Sequence, residues 1–197
     1  MADLGFLPAV RRLLDATPAR GQRMLFSATL DAGIGVIAKR YLSNPVTHEA
    51  DSAQSPISTM THHVLHVTTD AHLPVLLDLV AAPGRTVVFT RTKLAASRLA
   101  SWLDRHGVAA TAIHSDRAQS DRTKALEAFK AGEIRVLVGT DVAARGLDID
   151  NLPHVVNFEL PWNPEDYVHR IGRTGRAGAT GDAISLVTID EADLLRG

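Results

Sequence analysis

Between His169 and Gly178 the chain reads His-Arg-Ile-Gly-Arg-Thr-Gly-Arg-Ala-Gly, so that Arg170, Arg173 and Arg176 recur every third residue among three glycines. Arginine offers a planar fork of donors matched to phosphate oxygens, and glycine lets backbone N–H groups approach an anion closely. Spacing of three along a helix end or tight turn predicts that the arginines come to one side. A solvated basic loop closing a helix accounts for these ten residues as well, so context must decide. A second run, from Gly139 to Asp148, places a hydroxyl, an acid, small residues, an arginine, a glycine and another acid after an apolar stretch. Thr140 and Arg145 suit a sugar-phosphate backbone, and Asp148 suits ribose hydroxyls. The plain alternative is a strand-to-helix turn with Asp141 as its cap. Gln119 and Arg122 lie one helical turn apart at a helix start, where backbone N–H groups also attract anions.

These residues need elements to hold them. Leu4, Leu7, Val10, Leu13 and Leu14 fall at helical spacing. Met24 to Phe26 reads as a short buried strand, followed by Ser27-Ala28-Thr29 and a helix with Ile34, Ile37, Ala38 and Tyr41 inward. Val46 to Glu49 is a candidate strand, and the Ser-, Ala- and Thr-rich residues 50–60 read as a linker. Strands and helices then alternate: strand Val64 to Thr68, helix Leu73 to Val80, strand Thr86 to Thr90, helix Leu94 to Arg105, strand Val108 to Ile113, helix Gln119 to Lys130. Ala95, Leu99, Trp102 and Leu103 form the inner stripe of one helix, which Gly107 would terminate. Strands follow at Arg135 to Gly139 and Val155 to Phe158. A helix capped by Asn163 with Pro164 in its first position comes next, and Ala183 to Thr188 closes the series. The alternation predicts an α/β fold with a parallel sheet covered on both faces. In such a sheet ligands sit beyond the carboxyl ends of the strands, so Thr90-Arg91, His114 to Asp116, Thr140 and the arginine stretch would share one rim.

Composition narrows the field. In 197 residues there are 21 basic and 22 acidic side chains, a net charge of -1, so any nucleic-acid contact must come from a local patch rather than a global field. There is no cysteine, which excludes disulfides and cysteine-ligated metal. No apolar run reaches membrane-spanning length, and the cytoplasm is the expected location. His62, His63 and His66 do not read as a metal site, because in a strand His62 and His66 share a face that His63 does not. Trp102 reads as core, and Trp162, beside prolines in a loop, is assigned to neither core nor surface.

With these pieces assembled, the sequence resembles the DEAD-box RNA helicases over nearly its full length. Ser27-Ala28-Thr29 is similar to the family's SAT motif, and Val87 to Lys93 to its motif IV. Gln119 and Arg122 match the QxxR element, Val138 to Asp148 motif V, and Tyr167 to Gly178 motif VI. The resemblance implies that residues 61–197 are a second RecA-like domain, that 1–49 are an incomplete remnant of a first such domain, and that 50–60 join them. It implies that Arg173 and Arg176 are arginine fingers to the γ-phosphate of ATP bound with Mg²⁺. His169 would couple to the Ser27 and Thr29 region, and Asp148 would hold the ribose. Thr90, Arg91, Gln119, Arg122, Thr140 and Arg145 would lie on or near an RNA backbone. Ser115 departs from the family's usual glycine, and its side chain would crowd that face.

No Gly-x-x-x-x-Gly-Lys-[Ser/Thr] phosphate loop occurs in the chain. Asp190-Glu191-Ala192-Asp193 spells the family's acidic motif, but it follows motif VI instead of preceding SAT and has no phosphate loop upstream, so it is not taken as that motif. Its expected role is to open a helix, with Asp190 as cap and Glu191 at the positive end. The expectation is therefore the carboxyl-terminal half of an ATP-dependent RNA helicase that does not hydrolyse ATP by itself and whose partners are RNA and the missing first domain. A non-enzymatic RNA-binding or helicase-regulating module is the alternative, and SAT together with motif VI disfavours a DNA helicase. Residues 1–49, with apolar faces and little to pack against, are expected to be mobile or self-associating.

Overall fold

The computed structural model describes residues 7–18, 20–26, 32–48, 60–144, 149, 152–175 and 180–196, in two compact units, 1–52 and 53–197. In the larger unit six strands, β1 (Met60–His66), β2 (Thr86–Phe89), β3 (Ala110–Ile113), β4 (Val136–Gly139), β5 (His154–Asn157) and β6 (Gly181–Val187), form one parallel sheet in the order β1-β6-β5-β2-β4-β3. Every residue of β2, β4 and β5 is buried, because the strand period of two sends alternate side chains to two covered faces. Val88, Val136, Val138 and Val156 meet Leu76 and Val80 of α3 (His72–Ala81) and Leu99 and Leu103 of α4 (Lys93–Arg105). Val87, Phe89, Leu137 and Val155 form the opposite layer with Phe129 of α5 (Gln119–Ala131).

Local signals set the helix ends. Thr92 caps α4 by accepting a hydrogen bond from the Ala95 N–H at 3.1 Å, and Gly107, at φ +83°, takes the left-handed turn after it. Asn163 caps α7 (Pro164–Ile171), accepting from the Asp166 N–H at 2.8 Å, with Pro164 where its missing N–H costs nothing. The buried stripe of α4 is Ala96, Leu99, Ala100 and Leu103, one position round from the expected stripe. Ala95 and Trp102 lie half-buried at its margin, with Trp102 stacked on His106 at 3.9 Å. The first strand runs four residues earlier than its apolar residues suggest. β1 is an edge strand with only Met60 buried, so pairing of its backbone with β6 from Met60–Gly181 to His66–Val187 sets its limits.

The smaller unit holds α1 (Leu7–Asp15) and α2 (Ala32–Tyr41). The Tyr41 hydroxyl donates to Asp15 Oδ1 at 2.8 Å, and Arg23 donates to the Tyr41 carbonyl at 3.1 Å and to Thr17 Oγ1 at 2.8 Å. The strands expected at Met24–Phe26 and from Val46 do not form. A strand needs a neighbour's N–H and C=O groups, and no strand in the described part of this unit supplies them; Phe26 is left 85% exposed. No residue of α1 is buried. Asp190 lies inside a 3₁₀ helix, Ile189–Arg196, rather than capping it.

Phe129, fully buried between α5 and the sheet, is expected to carry a large share of the stability. Phe129→Ala should cost about 3–5 kcal/mol by urea unfolding followed by circular dichroism, whereas exposed Leu13→Ala should change it by less than about 0.5 kcal/mol.

Candidate functional site

The carboxyl ends of β2 to β6 make one rim, and its centre is a buried guanidinium. Arg170, in the last turn of α7, is 1% exposed. Its Nε and Nη2 donate to the two carboxylate oxygens of Asp141 at 2.5 and 2.9 Å, and Nη1 donates to Asn157 Oδ1 at 3.2 Å and to the Glu159 carbonyl at 2.6 Å. The group lies 5.3 Å over the Phe89 ring, and the Asn157 amide is itself anchored on Ser185 Oγ at 3.1 Å. Fork-to-fork pairing with all three guanidinium nitrogens answered is what makes a buried arginine tolerable. Asp141, in the short helix α6 (Asp141–Ala144), is therefore the partner of Arg170 in addition to opening a helix.

Because α7 ends at Ile171 with Gly172 as its cap residue, Arg170 and Arg173 do not share one helix side. Arg170 turns inward and Arg173 follows in a turn outside the helix, half-buried. That turn is fastened to the body. The Thr174 hydroxyl donates to the Leu152 carbonyl, Thr174 and Leu152 form a β-bridge, and Gly181 lies so close beneath that a methyl group there would overlap the Thr174 hydroxyl and the Gly175 nitrogen. His169 is half-buried in the last turn of α7. Ser27, Thr29, Arg145, Asp148 and Arg176 lie outside the described residues.

The other rim residues differ in exposure. Thr90 is buried, its N–H donating to the Gly139 carbonyl at 3.0 Å and its hydroxyl to the Thr92 carbonyl at 3.1 Å, and Thr140 beside it is also buried. Gln119 is exposed and accepts from Arg122 Nη1 at 3.0 Å in the first turn of α5. Arg91 donates its N–H to Glu159 Oε2 at 2.7 Å. Its guanidinium reaches Glu191 Oε1 at 2.8 Å and Glu159 Oε1 at 3.9 Å and stacks 4.4 Å from the centre of the Trp162 ring. Ser115 is exposed, and Asp116 next to it pairs with Lys93 at 2.6 Å, whose hydrogen bond holds the carboxyl below its ordinary range. Residue type and spacing alone do not reveal Arg170, Asp141, Glu159 or Glu191 as the frame of the rim. The available signal was a charged residue inside an apolar stretch, as at Asp141 after β4. His62 meets the Tyr167 hydroxyl at 2.8 Å while His63 meets Asp182 at 2.9 Å, and no group of three or more histidine and acidic side chains among the described residues could hold a metal ion. Nor is any described helix long and apolar enough to cross a membrane.

A parallel sheet whose rim gathers these arginines and threonines defines a class, and residues 70–178 match the helicase conserved C-terminal domain. The chain is 43% identical over its full length to the DEAD-box ATP-dependent RNA helicase CshA of Bacillus licheniformis, of which it covers 41%. Its fold is similar to a DEAD box protein of Methanococcus jannaschii (38% identity, TM-score 0.68, all of this chain and 53% of that one) and to Dbp5 of S. cerevisiae bound to RNA and ADP BeF3 (29% identity, TM-score 0.83, 98% and 52%). The chain belongs to the DEAD-box helicase family, and its larger unit has the RecA-like α/β fold. It spans about two fifths of the length of the CshA relatives it matches.

Two outcomes follow from this geometry. Asp141→Ala strands a buried guanidinium and should lower unfolding free energy by about 3–5 kcal/mol, with Asp141→Ala/Arg170→Met recovering part of the loss; equal urea midpoints for wild type and single variant would contradict it. Burial holds the imidazoles of His72, His114 and His154 below their ordinary range, and Arg117 adds to the effect at His114. The unfolded chain then takes up protons first, so stability that is full above the unfolded value near pH 6.5 is lost as pH falls through the lower folded values. The urea midpoint should drop between about pH 7 and pH 5, and His154→Gln, which removes the 2.6 Å contact with Thr86, should flatten part of that slope.

Proposed function

We propose that this chain is the second-domain half of an ATP-driven machine that separates or remodels RNA strands. The observation supporting this most is the fastened turn: Arg170 is held by Asp141 and Thr174 is bonded to Leu152, so Arg173 between them is carried on an anchored backbone at the sheet rim. In the reading, Arg173 and Arg176 supply positive charge to the phosphoryl group in flight, a contribution of about 10³ to 10⁵ in rate for such fingers. His169 couples the rim to the Ser27 and Thr29 region, and Asp148 orients the ribose. Thr140, Gln119, Arg122 and Arg145 follow the RNA backbone, with Thr90 fixing the turn beneath them. Residues 50–60 act as the hinge that lets the halves close when nucleotide and RNA are both bound.

Supporting this are the printed activity of the CshA relatives and the RNA and ADP BeF3 held by Dbp5. ATP turnover in this reading belongs to a two-domain protein whose first domain supplies the phosphate loop that these 197 residues lack.

Phosphate release measured on this chain alone should show no RNA-stimulated turnover. Mixed or fused with a first helicase domain, it should gain such turnover, stimulated by RNA and not by DNA, and Arg173→Ala should lower it by about 10³-fold or more. RNA-stimulated hydrolysis by the chain alone, abolished by Arg173→Ala, would overturn the division of labour.

A further inference from the structure

Trp162 lies in the loop between β5 and α7, on the same rim as Thr90 and Thr140, and is 73% exposed. Behind it stands Arg91, whose guanidinium is 4.4 Å from the ring centre and is gripped by Glu191 and Glu159. Glu191 is buried and held in turn by the N–H groups of Leu160 at 3.2 Å and Thr188 at 3.4 Å and by the Thr188 hydroxyl at 3.3 Å. The indole is thus backed by a cation that cannot swing away. A cleft of about 320 Å³, walled by Leu160, Pro161, Trp162, Tyr167 and Leu194, opens beside it.

We infer that Trp162 is a stacking platform for an unpaired nucleobase at the end of the RNA-facing rim, and that Glu191 is the positioning residue that holds Arg91 against the indole. The inference rests on the reading that this rim follows RNA. Three features favour a base over an apolar side chain of another protein. The platform, in the loop after β5, continues the row of strand ends at which Thr90 and Thr140 lie. The two carboxylates that grip Arg91 are neutralised by that cation, which leaves Asp193 as the acidic side chain lining the cleft beside the indole. Finally, a ring already clamped by a cation loses little rotamer freedom when a second flat group stacks on it. Every base has a π-face, so the site would take single-stranded RNA without choosing sequence. Under this reading Arg91 serves the strand through the indole, and the tetrapeptide Asp190 to Asp193 contributes Glu191 as a brace.

The test uses the full 197-residue chain carrying Trp102→Phe, which leaves Trp162 as the single tryptophan. A short oligouridine and an abasic strand with the same number of phosphates are titrated while indole emission and affinity are followed. Oligouridine should quench the emission and bind roughly tenfold tighter than the abasic strand. Trp162→Ala should erase that preference while leaving the salt slope unchanged, Trp162→Phe should keep most of it, and Glu191→Gln, read on protein shown to be folded by circular dichroism, should weaken the quench. Equal affinity for both strands, or an unquenched indole on a saturated chain, overturns the platform while leaving the RNA rim standing. No binding of either strand overturns the rim reading and the platform with it. Concentration-dependent sedimentation lost in Trp162→Ala, with no quenching by RNA, would assign this face to a protein contact instead.

Discussion

A guanidinium in a nearly dry interior is the constraint around which this rim is arranged. Removing an ion from water costs several kcal/mol even after relaxation, so Arg170 is tolerable only if its fork is answered in several directions at once. Asp141 answers two of them, Asn157 and the Glu159 carbonyl a third nitrogen, and Phe89 lies under the plane. Those partners come from the ends of β2, β4 and β5. The pair therefore fixes the relative positions of three strand ends and the last turn of α7, and the arginine turn that follows inherits its place from that fixation.

Glu159 extends the same constraint sideways. Its carbonyl accepts from Arg170 and its carboxylate accepts from the Arg91 N–H, so one residue couples the buried arginine to the half-buried one. From Arg91 the chain of contacts passes to Glu191 in the 3₁₀ helix and to Trp162. Neighbouring arginines on one surface could repel each other and drift. Here each has its own carboxylate, and the two networks meet only at a residue that serves both without being shared as a counter-ion by both.

The sheet was legible because its central strands are short, apolar at their middles, buried throughout and separated by helices with recognisable start and stop signals. Val136 to Val138 could face only two covered layers, and Asn163-Pro164 could only start a helix. Three things were not legible, each for a physical reason. Met24 to Phe26 has the composition of a buried strand, but pairing requires a partner edge that composition does not report. Spacing of three among Arg170, Arg173 and Arg176 implies a shared side only while the helix continues, and α7 stops at Ile171. The limits of β1 follow backbone pairing on an edge where side chains stay in water, so hydrophobicity carries no signal there.

Asp190 to Asp193 shows why acidic letters alone do not define a site. A carboxylate that is to hold a metal or activate water must keep free lone pairs facing a cleft. Glu191 does the opposite, spending its oxygens on Arg91, Leu160 and Thr188 inside the protein. The same side chain at the end of a strand can thus be catalytic or structural, and what separates the cases is whether the donors around it are permanent neighbours or leave room for a ligand. In this chain the donors are permanent, and the consequence is an indole at the rim whose backing charge is fixed before any ligand arrives.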